Sequence, residues 1–190
     1  MFARTQRLLL RPGWPEDATA LHAAIADEAI VRNLATAPWP YGLDDARAFL
    51  ARERDPLHPA FLIFKRTHGT PHLIGGCGIG EREDGGLELG YWIARPYWGL
   101  GFATEAAGAV MHVARASGLR NIGCSHFIDN PASGRVMRKI GFRPVGRPEP
   151  RYSAARGRAD LCQLYEQAEE GEMRDDVAVE IYPDVAPLAA

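Results

Sequence analysis

Apolar and polar positions alternate in some stretches of this chain and recur at helical spacing in others, which lays out strands and helices in mixed order. Leu8, Leu9 and Leu10, between Arg7 and Arg11, read as a first strand closed by Pro12. Leu21, Ala24, Ile25 and Ala29 then recur at helical spacing after Pro15, a residue tolerated in a first helical turn. A proline-stiffened loop over 35–42 leads into a second helix over 44–54, with Ala46, Phe49 and Leu50 on one face. Three strands follow at 60–65, 72–80 and 87–94, the last two joined by a tight turn at Asp84-Gly85-Gly86. A helix over 102–117 places Ala103, Ala106, Ala107, Val110 and Val113 inward and stops at Gly118. A strand at 121–128, a short helix at 131–139, an extended piece at 142–146 and a last strand at 160–166 complete the pattern. Strand–helix alternation beside a hairpin run implies an α/β (α+β) architecture, a mixed sheet with helices on both faces.

At 190 residues, with 46% hydrophobic and 24% charged positions, the chain reads as one domain with a full core. A formal charge of -2 gives no pull toward nucleic acid or a membrane surface, and no window approaches a membrane span. The apolar run at Leu8–Leu10 is too short for a secretory leader. Cys77, Cys124 and Cys162 are far apart and lack metal spacing, so they read as buried free thiols of a cytoplasmic protein. The histidines likewise show no ligand spacing, and no metal is expected. After residue 168 the character changes. Seven carboxylates, Glu169 to Asp184, face only Arg174, which reads as a solvated tail over 169–190 beyond a domain spanning 1–168. Within that tail, 177–182 alternates enough to add an edge strand.

The chemistry concentrates in Glu88-Leu-Gly-Tyr-Trp-Ile-Ala-Arg-Pro-Tyr-Trp-Gly-Leu-Gly-Phe-Ala-Thr104. A strand runs out, a proline breaks it, and a glycine pair opens a helix. Gly99 and Gly101 keep side chains clear where free N–H groups and a partial positive charge meet, an arrangement that holds phosphate. No Lys-Ser/Thr follows, so this is no P-loop, and the third glycine of a dinucleotide fingerprint is missing. Within the strand, Glu88 shares a face with Gly90 and Trp92. A carboxylate there must face something polar: a cleft, the solvated face of the sheet, or an arginine partner.

Tyr91 to Ala106, together with Asn130-Pro-Ala-Ser133 and Lys139-Ile-Gly-Phe142, resembles the GNAT superfamily of N-acetyltransferases in its RimJ/RimL-like branch, over roughly residues 5–168. The resemblance implies a GNAT-type, mostly antiparallel sheet and direct acetyl transfer from acetyl-CoA to a primary amine. Amides of Trp98, Gly99, Leu100, Gly101, Phe102, Ala103 and Thr104 would wrap the pyrophosphate. Those of Trp92, Ile93 and Ala94 would meet the pantetheine arm and polarise the thioester carbonyl. Asn130, also an expected helix N-cap, would hydrogen-bond coenzyme A, and Ser133 would lie near the thiol, where it or water relays a proton to the departing thiolate or the thiolate leaves unaided. Glu88 matches a general base. Two positions depart from the family pattern: Pro96 stands where Gln or Arg is common, and Met137 where many relatives carry a tyrosine acid.

The loop Pro38–Tyr41 and the arginine-rich stretch 147–158 would border the acceptor. That stretch reads either as an attraction for acidic acceptors or as a solvated loop. The acceptor is then a protein or peptide N-terminal α-amine, or a small amine such as an antibiotic or polyamine. A non-catalytic acetyl-CoA-binding module is the rival. A monomer or a homodimer fits equally.

Overall fold

The computed structural model describes residues 1–82, 85–168 and 178–182. Among the described residues nine strands form one sheet in the order β7-β8-β6-β5-β4-β3-β2-β1-β9. They are β1 (Phe2–Arg4), β2 (Leu8–Arg11), β3 (Ala60–Lys65), β4 (His72–Glu81), β5 (Leu87–Ile93), β6 (Ile122–Phe127), β7 (Phe142–Ser153), β8 (Arg158–Gln167) and β9 (Glu180–Tyr182). Every neighbouring pair is antiparallel except β5 and β6. The helices are α1 (Ala18–Ile25), α2 (Glu28–Val31), α3 (Leu43–Ala51), α4 (Phe102–Ala116) and α5 (Pro131–Lys139). The fold is therefore the mixed α/β architecture expected.

Two apolar layers sandwich the sheet. Leu8, Leu10, Ile63, Leu89 and Ile93 pack under α4 and α5 with Val110, Met111 and Met137. Leu62, Phe64 and Trp92 face the other way, against Leu21, Ile25 and Val31 of α1 and α2 and Ala46 of α3. The unbroken apolar run Phe61–Phe64 follows from this, since a strand covered on both faces has no solvent side.

Several boundaries move for physical reasons. The first helix was expected to reach Ala29, but Asp27 accepts the Ala29 N–H at 2.9 Å and starts a new helix, α2. The extended piece expected at 142–146 continues to Ser153 as β7 and pairs with β8 across a register shift between Val145 and Glu149. Pro148 and Pro150 look like breakers in the sequence. β7 is the sheet edge, where a missing N–H costs no ladder bond. The stretch 147–158 is thus mostly hairpin, which corrects the solvated-loop reading. Strand β1 was not anticipated, and it receives the expected tail strand, with Ala3 opposite Ile181. Gly85 turns at φ 79°, and Asp84 of the same expected turn lies outside the described residues. All three cysteines are buried and free.

Candidate active site

Strands β5 and β6 pair only through Leu87, Glu88 and Leu89. From Gly90 onward β5 keeps its partner β4 but loses β6, and the two parallel strands splay into a wedge. A cavity of 1020 Å³ runs through this wedge from the α4 N-terminus toward α3 and the β7–β8 hairpin.

At one end of the cavity, Gly99 and Gly101 adopt φ of 75° and 83°, a region open to glycine and strained for other residues. Gly101 is the N-cap of α4 and supplies no side-chain acceptor. The first bond into the helix is Glu105 N–H to Gly101 carbonyl at 3.1 Å. The N–H groups of Gly99, Leu100, Gly101, Phe102, Ala103 and Thr104 therefore have no backbone acceptor among the described residues. Six amides at a 15-residue helix start fit a pyrophosphate. Trp98 is a correction: its N–H closes a turn on the Arg95 carbonyl at 3.2 Å and is no free donor. Its indole instead donates to the Ile93 carbonyl at 2.6 Å. Arg95 turns toward Asp27 at 3.5 Å.

A brace that sequence reasoning missed holds this loop. Glu105, in the first turn of α4, accepts Arg7 Nε at 2.6 Å and Thr5 Oγ1 at 2.6 Å. Arg7 also donates to the Leu100 carbonyl at 3.0 Å and lies 4.4 Å from the Phe102 ring centroid. A bare carboxylate at this helix start would repel an anion, and the Arg7 guanidinium neutralises it. Nothing in the spacing of positions 7 and 105 announces the pair.

Along the wedge, the antiparallel ladder alternates between residues bonded to β4 and residues facing away. The Ala94 N–H donates to the Ile74 carbonyl at 2.7 Å, so Ala94 offers no amide to a ligand, a second correction. By the same alternation Trp92 bonds toward β4, while Tyr91 and Ile93 turn their backbone groups into the wedge. The backbone groups that the ladder leaves facing the wedge are thus those of Tyr91 and Ile93.

On the α1–α3 face, Glu88, Gly90 and Trp92 project together as expected, and Gly90 has open space where a side chain would stand. Glu88 accepts Ser125 Oγ at 2.5 Å and Arg151 Nη1 at 2.9 Å. It is a cleft residue and an ion-paired one at once. Ser125 enters from β6, and Arg151 reaches across from β7, whose position depended on the longer hairpin. Cys162 also lines the cavity, but burial pushes its thiol up to about 11, which keeps it protonated at neutral pH. Pro38 and Tyr41 border the cavity as expected. Of the arginines at 147–158, Arg156 is withdrawn into the fold. It donates to Asp129 at 2.8 Å, Asp160 at 2.9 Å and the Arg32 carbonyl at 2.6 Å, and stacks on Phe127.

On the opposite face, Asn130 caps α5, accepting the Ser133 N–H at 3.4 Å. Ser133 lines the cavity, and Met137 is buried beneath it. Tyr91, projecting from β5 toward α5, brings its hydroxyl to 2.7 Å from Ser133 Oγ. Sequence reasoning missed this contact because it depends on how α5 docks over β5. Among the described residues no cluster of three His, Cys, Asp or Glu side chains forms, and no helix is long and apolar enough to cross a membrane.

A wedge between parallel strands, backbone amides along it, and an open helix N-terminus at its mouth suit a ligand with an extended polar arm and a pyrophosphate. The family model for the acetyltransferase (GNAT) domain matches residues 7–143, and the chain belongs to that family. It is 29% identical over 154 residues to YoaA of Bacillus subtilis, described as an uncharacterized N-acetyltransferase, covering 75% of this chain and 82% of the relative. An acetyltransferase structure of the GNAT family from Bacillus anthracis superposes with a TM-score of 0.74 at 24% identity, covering 90% of this chain and 99% of the other. RimL, a ribosomal L7/L12 α-N-protein acetyltransferase solved with coenzyme A, superposes at 0.70 and 21% identity, covering 86% and 95%. The protein is an acetyl-CoA-dependent N-acetyltransferase.

Proposed function

We propose that the acceptor is the α-amine of a protein or peptide N-terminus. The observation that carries this is the state of the carboxylates in the cleft. Among the described residues only Asp45 and Glu88 line it, and both are engaged: Asp45 accepts the Gly42 N–H at 2.8 Å, and Glu88 is held by Arg151 and Ser125. Arg52, Arg54 and Arg151 line it as well. Polyamines and aminoglycosides carry several positive charges and would meet an unfavourable field. An α-amine brings a single charge and sheds it easily. At pH 8 about half of a group with pKa ~7.7–8.0 is neutral, against about 0.4% of a lysine amine at ~10.4. A site without a strong base suits the α-amine. RimL, one of the structural neighbours, is named for this acceptor class, which agrees with the reading.

The acetyl thioester supplies the electrophilic carbon and a thiolate leaving group. Unpaired amides from Gly99 to Thr104 bind the phosphates, and the Ile93 N–H offers a hydrogen bond to the carbonyl oxygen as charge develops there. Glu88, beside the open floor at Gly90, takes the proton that the amine nitrogen releases once it bonds to carbon, directly or through water. Ser133 faces the sulfur from the other side of the wedge. The buried, protonated Cys162 is consistent with transfer in one step, without an acyl-enzyme.

Thiol release from acetyl-CoA should be measured with peptides beginning Ser, Ala, Thr or Met, beside spermidine and kanamycin. Turnover of peptides with neither polycation supports the reading. Preference for a polycation overturns the acceptor assignment, and thermal stabilisation by acetyl-CoA with no turnover of any amine favours a regulatory binding module.

A further inference from the structure

Tyr91 Oη lies 2.7 Å from Ser133 Oγ and 3.1 Å from the Ser133 carbonyl. We propose that Tyr91 is a positioning residue that turns the Ser133 hydroxyl toward the departing sulfur, and that this pair stabilises the thiolate by hydrogen bonding alone, with no proton handed over.

The inference rests on the N-acetyltransferase reading and on Ser133 as the residue at the thiol end. A phenol has one proton to direct. Given to the Ser133 carbonyl, it leaves the serine proton pointing back at Tyr91. Given to Ser133 Oγ, it frees the serine proton to point into the cavity that Ser133 lines. A negative sulfur in the cavity favours the second arrangement, because it attracts that proton and the phenol compensates the oxygen.

The reason for denying a proton transfer lies in what stands behind the pair. The titratable and hydrogen-bonding groups that act on Tyr91 are Ser133 of α5, Cys124 of β6, Cys77 of β4 and Tyr165 of β8. None is a cation or an acid able to refill a proton. One layer further, Tyr165 is held by His126 and Arg138. Burial drives the Tyr91 phenol far above its ordinary value, with the serine hydrogen bond only partly opposing. A thiol with a reference value of ~8.5 is a far stronger acid than either hydroxyl, so a thiolate would not strip the pair. In the step itself, the amine nitrogen bonds to the carbonyl carbon, and the carbon–sulfur bond breaks with its electron pair going to sulfur. The amine proton goes to Glu88 or water. The thiolate leaves as an anion and is protonated by solvent.

The test uses acetyl-CoA with the N-terminal peptide that turns over fastest in the panel above. Y91F should lower kcat about tenfold, the factor expected for one hydrogen bond in the transition state, with the acetyl-CoA KM within about twofold of wild type. S133A should lower kcat by at least as much. The double variant should be no slower than S133A, because Tyr91 acts only through the serine. Wild-type kcat should rise to a plateau with pH and hold it to about pH 10, since no donor acid titrates. An unchanged kcat in Y91F, a multiplicative double variant, or an alkaline fall in wild-type kcat would each overturn the proposal. An alkaline fall in wild-type kcat overturns the proposal even where Y91F folds poorly, and S133A with unchanged kcat does so as well. A wild type that turns over no amine removes this inference together with the reading beneath it. A wild type that turns over normally while Y91F matches it removes this inference alone.

Discussion

Replacing Gly90 by valine should make the protein more stable and nearly inactive, an unusual combination that follows from where the residue sits. Gly90 is in the middle of β5, opposite Gly78, with backbone angles that do not require glycine. A Cβ built there meets nothing within 4 Å, because the space is the floor of the cleft between Glu88 and Trp92. Glycine inside a strand costs about 0.5–1 kcal/mol relative to alanine, and a β-branched residue is favoured further. For a domain of this size, that gain raises the melting temperature by roughly 1–4 °C. The valine methyls would occupy the space an amine must enter beside Glu88. A displacement of about 1 Å from productive geometry costs on the order of a hundredfold, so kcat/KM for the amine should fall at least that far. Stabilisation by acetyl-CoA should persist, since the amides of Gly99 to Thr104 lie at the α4 N-terminus, past the end of β5. Melting curves with and without acetyl-CoA, followed by a thiol-release assay, test all three parts. A G90V enzyme with wild-type kcat/KM would show that the acceptor does not approach over Gly90.

E88Q keeps the shape of the side chain and its contacts with Ser125 while removing the base. Turnover should drop about a hundredfold with acetyl-CoA affinity within twofold, and equal turnover at every pH would exclude Glu88 as the proton acceptor. G101V places a branched residue at φ 83°, which costs roughly 1–3 kcal/mol of backbone strain and displaces the amides. Coenzyme A binding by calorimetry should weaken tenfold or more, and unchanged affinity would contradict the phosphate assignment. The acid limb of stability should carry the signature of Asp17. Burial pushes this carboxyl up, but Arg11, at 2.8 Å through both oxygens, and the Trp14 N–H hold it below the ordinary range. Its folded value is depressed, so its stabilisation is present above pH ~4 and is lost as pH falls through the lower folded value. D17N should therefore melt lower than wild type at pH 7 and lose less on acidification to pH 2. Parallel melting curves for the two would refute that account.

Local chemistry alone settled much of this protein. The apolar run at Ala60–Lys65, the helical repeat at Phe102–Ala116 and the proline-started helix at Pro131–Lys139 each carry their own period and their own stops, so they were legible before any fold was known. The open N-terminus of α4 was legible for the same reason: Gly99 and Gly101 act through backbone angles and missing side chains, which depend on residues next to them. Strand alternation likewise placed Glu88, Gly90 and Trp92 on one face. What the sequence could not supply is whatever depends on two elements meeting. Arg151 reaches Glu88 only because β7 continues past its prolines, and an edge strand tolerates them because no neighbour needs their N–H groups. Whether a β5 amide points at a ligand or into the ladder depends on the register with β4, which engaged Ala94 and left Ile93 facing the wedge. Tyr91 meets Ser133, and Arg7 meets Glu105, across separations of 42 and 98 residues. No local period encodes such contacts. They are fixed when the helices dock and the side chains settle into close packing, and it is there that the protein acquires its Arg7–Glu105 brace and its Tyr91–Ser133 hydroxyl pair.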